Sequence, residues 1–285
     1  MPILGNMTEG LSSTCNVFYN PSVACGDSSL YTREPLVRNL KHLDKSKFNF
    51  QFSTFNFQFL CYTIFKGCDV MIAGLQKLTL LDFPGHTACT VFLAGCNMRG
   101  PFCHNAELFG GKVEEFMTEE AFLKFLATRQ GLLEGVCVSG GEPTLTGHLP
   151  EFLRSIKDLG YAVKLDTNGS RPDVLRRLLE EKLVDYVAMD VKNSPSRYGQ
   201  TIGLDSFDMT PMEESLRLLL TGNTPYELRT TVVQQLHDEA SMEEMGRWLS
   251  SLVPGILPKK LFLQKFVDRD TVAYSGLCEY LSWYS

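Results

Sequence analysis

Residues 88–105 read ACTVFLAGCNMRGPFCHN, and the two halves of this stretch are different material. ACTVFLAG (88–95) is a continuous apolar run closed by glycine, the pattern of a strand buried on both faces in a parallel sheet. CNMRGPFCHN (96–105) is a polar, non-helical loop that holds Cys96 and Cys103, with Gly100 between them. A buried strand that empties into such a loop is the local signature of an α/β fold with its chemistry at a strand end.

Further along the chain the same unit repeats. Strands are expected at 135–141 (GVCVSGG), 162–169 (AVKLDTNG), 185–192 (DYVAMDVK), 226–233 (YELRTTVV) and 260–267 (KLFLQKFV). Between them, helices are expected at 118–132, 149–160, 171–183, 211–222 and 241–253, the second closed by Gly160. Six strands alternating with five helices predict an α/β class and a parallel sheet, open or curled towards a barrel. Sites in such folds lie at the C-terminal strand ends. The unusual residues stand there: Cys96 and Cys103, then Ser139-Gly140-Gly141-Glu142-Pro143, Asp166-Thr167-Asn168-Gly169, Asp190-Val191-Lys192, Arg229 and Gln264.

Composition excludes several alternatives. The chain has 285 residues, 44% hydrophobic and 21% charged, an ordinary globular balance. A net charge of −6 offers no general attraction to nucleic acid or anionic membrane. No apolar run is long enough for a membrane span, and no signal peptide opens the chain. Nine scattered cysteines do not make a secreted disulfide framework, so a reduced, cytoplasmic protein is expected. Residues 1–70 differ from the rest. They lack helical periodicity and contain FNFQFSTFNFQF (48–59), a period-two aromatic run with aggregation risk if exposed. Met71 opens MIAGLQKLTLLDFPG like a protein start. Residues 1–70 are therefore expected to be an extension, with an accessory arm as the alternative, and 71–285 the working domain.

Each rim motif has an ordinary explanation as well as a functional one. Cysteine is a common buried hydrophobe, but thiols close together on a polar loop suit an iron–sulfur cluster. Zinc competes, although a closed site needs four ligands and only His104 stands near enough to contribute. Gly140 and Gly141 permit close backbone approach, and Glu142 supplies a carboxylate for an ammonium group; a plain strand-to-helix turn is the alternative. Asp-Thr-Asn-Gly reads equally as an Asx turn before the next helix, and Asp190 with Lys192 as a rim ion pair.

The segments GLQKLTLLDFPG, GCNMRGPFCHN, SGGEPTL, KLDTNG, VDYVAMDVK, YELRTTVV and LQKF, in this order and spacing, resemble the radical S-adenosylmethionine superfamily. The likeness is to the activating proteins of anaerobic ribonucleoside-triphosphate reductase, and it covers nearly all of 71–285. It implies a partial (β/α)6 barrel of the radical SAM type, here with an irregular N-terminal extension. It also implies a 4Fe–4S cluster and S-adenosyl-L-methionine, cleaved reductively to place a radical on a glycine of the reductase. A low-potential donor such as flavodoxin or ferredoxin would supply the electron. By the resemblance, Cys96 and Cys103 are metal ligands, while Gly140, Gly141 and Glu142 hold the methionyl ammonium. Phe102 and His104 lie near the adenine, Thr167 and Asn168 face the ribose or methionyl part, and Arg229 the carboxylate.

The family spacing C-x3-C-x2-C puts its second cysteine where this chain has Gly100. Glycine cannot ligate iron, and Cys89 and Cys137 lie within expected strands, so an impaired cluster is expected. Two alternatives remain. One is a radical SAM enzyme acting on another glycyl radical enzyme or a small molecule. The other is a non-catalytic module that binds S-adenosylmethionine or a partner.

Overall fold

The run 88–95 is a strand, β3 (Ala88–Leu93), in the computed structural model of the chain. The structure describes residues 70–108, 113–268 and 272–273, with the backbone of 16–19. The aromatic run 48–59 and the tail beyond 273 lie outside the described residues. Contacts divide the chain into two units, 1–24 with 70–285, and 25–69; the second also lies outside them.

Within the first unit, all six expected strands are present. β4 (Gly135–Gly140), β5 (Ala162–Thr167), β6 (Tyr186–Asp190), β7 (Tyr226–Val232) and β8 (Lys260–Lys265) follow β3 in a parallel array. Two strands are additional. β1 (Asn16–Tyr19), from within the expected extension, runs parallel to β8, and β2 (Ile72–Thr79) runs antiparallel to β3. The sheet order is β1-β8-β7-β6-β5-β4-β3-β2. β2 is hard to read in sequence because register shifts at Ile72/Gly74 and Gln76/Thr79 break its alternation.

The alternation of side chains decides which face is core. Cys89 and Val91, Val136 and Val138, Val163 and Leu165, and Val187 and Met189 are fully buried in the main core. Against them pack helices α1 (Glu119–Ala127) and α2 (Leu149–Asp158), through Phe122 and Leu126 and through Phe152, Leu153 and Ile156. Full burial of a side chain of this kind contributes about 1.5–3 kcal/mol. The intervening positions Thr90, Cys137, Lys164, Asp166, Asp190 and Arg229 point to the opposite, inner face, as period-two geometry requires.

The remaining helices are α3 (Pro172–Glu180), α4 (Tyr198–Ile202), α5 (Thr210–Thr221) and α6 (Glu239–Ser251). The expected helix over 118–132 is shorter than its pattern. Thr118 caps it by accepting from the Ala121 N–H at 3.2 Å, and Gly131, with φ of 77°, lies in the turn beyond its end. α4 breaks no rule but has no sequence signal, being a single turn after Pro195–Arg197.

The segment LLDFPG (80–85) closes the end of the sheet opposite the rim. Phe83 is buried against Ala88 and Tyr186, and a Cβ on Gly135 would meet its ring at 2.7 Å. Asp82 accepts from the Thr90 hydroxyl at 2.6 Å, tying this turn to β3.

At the rim end, β4 finishes in two glycines for a steric reason. Gly140 has φ of 120°, and Cβ atoms on Gly140 or Gly141 would run into the backbone of Leu93 and Gly95. The turn is zipped to β3 by Gly141 N–H to Leu93 O at 2.9 Å and Glu142 N–H to Gly95 O at 2.8 Å. Gly141→Ala is therefore expected to lower the unfolding free energy by about 3 kcal/mol. Gly147→Ala, with nothing within 4 Å of its Cβ, is expected to change little. Urea denaturation of the two variants measures the difference.

Candidate active site

The loop after β3, the turn after β4 and the turn after β5 meet at the rim, and Glu142 is the residue on which they meet. Its side chain is fully buried. Oε1 accepts from the Thr144 N–H at 3.1 Å, from the Thr144 hydroxyl and from the Thr167 hydroxyl at 2.8 Å. Oε2 accepts from the Asn168 N–H at 2.5 Å. Burial pushes this carboxyl up, against the pull of the bonds from Asn168, Thr144 and Thr167.

The carboxylate oxygens of Glu142 thus hold the turns after β4 and β5 together. Thr167 and Asn168 are likewise buried and donate into the same network. The Asx turn is present, with Asn168 Oδ1 accepting from the Ser170 N–H at 2.9 Å. Gly140 and Gly141 bring their backbone close to the end of β3 and the loop after it.

Phe102 and His104 anchor the other half of the cysteine loop. Phe102 is buried edge-on against Phe266, with ring centroids 6.4 Å apart. His104 stacks on the same ring at 5.5 Å and donates from Nε2 to the Val267 carbonyl at 2.8 Å. The adenine neighbours expected from the sequence thus fasten the loop to the end of β8. Asn105, read only as a polar loop residue, donates to the Gly140 carbonyl at 3.1 Å.

Beneath the rim, the inner face carries a chain of alternating charges. Lys164 pairs with Asp166, which also accepts from Ser139 at 3.0 Å and lies 3.4 Å from Arg229. Arg229 reaches Asp190 at 3.0 Å, and Asp190 pairs with Lys192 at 2.8 Å, the rim ion pair expected from the sequence. Arg229 is therefore shared between two carboxylates instead of standing open. Burial alone would raise the Asp190 carboxyl, but Lys192 and Arg229 outweigh it and hold it at about 2. Asp166 is likewise lowered, with Arg229 and Lys164 overcoming burial.

Several of these residues are missed by sequence reasoning. Lys164 is legible only as a charge alternating with Asp166 inside an apolar strand, and Ser139, read as part of the rim turn, gives no sign of its bond to Asp166. His237 is buried below the rim, donating from Nε2 to the Lys192 carbonyl at 2.8 Å and accepting the Val233 N–H at 3.1 Å. Burial lowers its pKa, which keeps this neutral form.

Cys96 and Cys103 are both part-buried free thiols on the rim loop. Burial raises both, partly offset by the Met98 N–H at Cys96 and by Lys192 at Cys103. A metal would have to displace their protons.

The Radical SAM superfamily pattern matches residues 90–225. A glycyl-radical enzyme activating enzyme of Methanocaldococcus jannaschii is 32% identical over 186 residues, 62% of this chain and 74% of that protein. The chain belongs to the radical SAM superfamily. A pyruvate formate-lyase 1-activating enzyme of Escherichia coli K12 is 35% identical over 141 residues, 46% of this chain and 55% of that protein. The chain thus spans about three quarters of the first relative and about half of the second. The crystal structure of Streptococcus suis SuiB bound to S-adenosylmethionine shares the fold. It matches at a TM-score of 0.50 and 11% identity, over 65% of this chain and 41% of that one.

Radical SAM enzymes use a 4Fe–4S cluster and S-adenosylmethionine. A cluster held by three protein thiolates does not fit the donors present here. Cys96 and Cys103 supply two thiols on the rim loop, and Gly100 between them has no side chain to supply another. Cys89 and Cys137 are fully buried within β3 and β4. Among the described residues, no group of three His, Cys, Asp or Glu side chains is placed to hold a metal ion. The backbone at Gly100 is outside the left-handed region, and a Cβ there would meet the Thr201 carbonyl at 3.2 Å. A cysteine is thus admitted at the cost of a few tenths of an ångström in α4.

Two outcomes are expected. After anaerobic reconstitution, Gly100→Cys should retain close to four irons per chain while the parent holds a labile, substoichiometric amount; iron and sulfide assays decide. The second concerns Asp190. Its folded pKa of about 2 lies below the ordinary 3.8, so the unfolded chain takes up the proton first. The resulting stability is complete above pH 4 and is lost as pH falls towards 2, by about 2 kcal/mol. Melting temperatures between pH 5 and 2 should fall more steeply in the parent than in Asp190→Asn.

Proposed function

We propose that this chain is the activating protein of a glycyl radical enzyme, that its partner is the anaerobic ribonucleoside-triphosphate reductase, and that Gly100 makes it an impaired form. The observation that carries this reading is the rim itself. The cysteine loop, the Ser-Gly-Gly-Glu turn, the Asp-Thr-Asn-Gly turn and the Asp-Val-Lys segment occupy successive strand ends of one sheet. The identity to a named glycyl-radical enzyme activating enzyme supports the class of partner. The working unit in this reading is 71–285, and a low-potential flavodoxin or ferredoxin is the electron source.

The cluster and S-adenosylmethionine, when bound, supply one-electron cleavage of the sulfonium and a carbon radical. The chain's own part is positional. Backbone groups of Gly140 and Gly141 edge the site, while Lys192 and Arg229 set positive charge beside it, each held by Asp190. His237 fixes the Lys192 backbone. The ordered charge chain below acts without reorganisation when charge moves at the rim, the general benefit of a preorganised polar site.

A second reading has its own observation behind it. The hydrogen bonds of the rim are complete, with no buried side-chain polar atom unpartnered among the described residues, whereas the thiolate set is not. Such a chain would bind S-adenosylmethionine or the reductase without cleaving anything.

The test is glycyl radical formation, read by electron paramagnetic resonance under anaerobic, reducing conditions. Parent and Gly100→Cys are each incubated with the glycyl subunit of the reductase and, separately, with pyruvate formate-lyase. A glycyl signal on the reductase with Gly100→Cys, and at least tenfold less with the parent, is expected. A signal only on pyruvate formate-lyase would reassign the partner. An iron-loaded Gly100→Cys that activates neither would favour the binding module.

A further inference from the structure

The cysteine loop is joined to the turn after β5 by a closed ring of three side chains. Asn168 Nδ2 donates to Asn97 Oδ1 at 2.9 Å, Asn97 Nδ2 donates to Ser170 Oγ at 2.9 Å, and the Ser170 N–H donates to Asn168 Oδ1 at 2.9 Å. The directions are forced. A backbone N–H can only donate, so Asn168 must face Ser170 with its oxygen and Asn97 with its nitrogen. Asn97 must then present its oxygen to Asn168, leaving its nitrogen for the Ser170 hydroxyl.

One side of this ring stands on rigid ground. The Asn168 N–H is held by the buried Glu142 carboxylate, and Asn168 itself is 6% exposed. The other side, Asn97, is exposed and immediately follows Cys96. The later half of the loop has separate anchors: Arg99 N–H to Ile202 O at 2.7 Å, Cys103 N–H to Gly100 O at 3.1 Å, and the Phe102 and His104 contacts to Phe266.

We infer that Asn97 and Asn168 are positioning residues that set the Cys96 side of the loop before any iron is present, so that Gly100 is a missing ligand on a preformed loop. The inference rests on the proposed reading of 96–103 as the metal loop for its meaning. Its test uses iron-free protein, so the two can fail separately.

The ring makes an unusual substitution pattern. Asn97→Asp keeps the acceptor for Asn168, and the Ser170 hydroxyl rotates to donate to the second oxygen. Asn168→Asp keeps the acceptor for Ser170, and the Asn97 amide turns to donate to it. Each single aspartate therefore closes the ring again. Asn97→Asp with Asn168→Asp sets two carboxylates face to face and cannot. Asn97→Leu removes two of the three bonds outright.

The experiment is iodoacetamide labelling of iron-free, full-length protein under anaerobic conditions, resolved by peptide mass spectrometry. Cys89 and Cys137, buried in β3 and β4, serve as internal controls for the fold. Labelling of Cys96 is expected to rise roughly tenfold in Asn97→Leu, as loss of two net hydrogen bonds implies, and to a similar degree in the double aspartate, where one bond is lost and two carboxylates repel. Each single aspartate is expected to stay within about twofold of the parent, with Cys89 and Cys137 protected throughout. Unchanged Cys96 labelling in Asn97→Leu would overturn the inference. Should Asn97→Leu expose Cys89 and Cys137 as well, the aspartate series decides: a double variant no more reactive than the product of its two singles would also overturn it.

Discussion

Glu142 carries a carboxylate to a place where no water reaches it, and four donors from two different turns close around it. An unpartnered buried carboxylate would be strongly destabilising, so the turns after β4 and β5 must take the shapes that supply those donors. Everything at the rim follows from that constraint. The Asn168 backbone is fixed by Glu142, and the Asn168 side chain reaches Asn97, the residue next to Cys96. The same turn is zipped to β3 through Gly141 and Glu142 backbone bonds that only a pair of glycines permits. The chemistry-bearing loop is thus held by neighbours on both sides.

The inner face obeys a second electrostatic rule. Lys164, Asp166, Arg229, Asp190 and Lys192 alternate in sign along the path of contacts, so that no charge faces a like neighbour without an opposite one beside it. Such a network contributes less to net stability than its contacts suggest, because desolvation opposes each pair. Its value is order: the charges below the rim are held in place whether or not a ligand is present. His237 extends that order by fixing the Lys192 carbonyl from the β7 side.

Within this prepared rim, Gly100 is a position of the cysteine loop that offers no side-chain donor. The loop around it keeps its turn from Gly100 O to Cys103 N, its aromatic anchors and its amide ring. Decay of a site would be expected to loosen the residues that serve only that site, and Asn97, His104 and Asn105 are all still engaged.

Much of this was legible in the sequence. Apolar runs bounded by glycine, alternating with amphipathic stretches, determined six parallel strands and the helices between them, because burial on a parallel sheet leaves little choice of residue. The same runs placed the cysteines, glycines and charged residues at one set of strand ends. Three things belonged to the tertiary structure alone. β2 and its bulges were hidden because an edge strand with register shifts loses its alternation. The convergence on Glu142 was hidden because a sequence shows that a carboxylate exists but not which donors reach it from 26 residues away. The packing of Phe102 and His104 on Phe266 was hidden too, since which aromatic ring lies across a loop is set by how β3 and β8 are brought together. Local pattern decided what each segment would be; long-range packing decided which of its polar groups remained available.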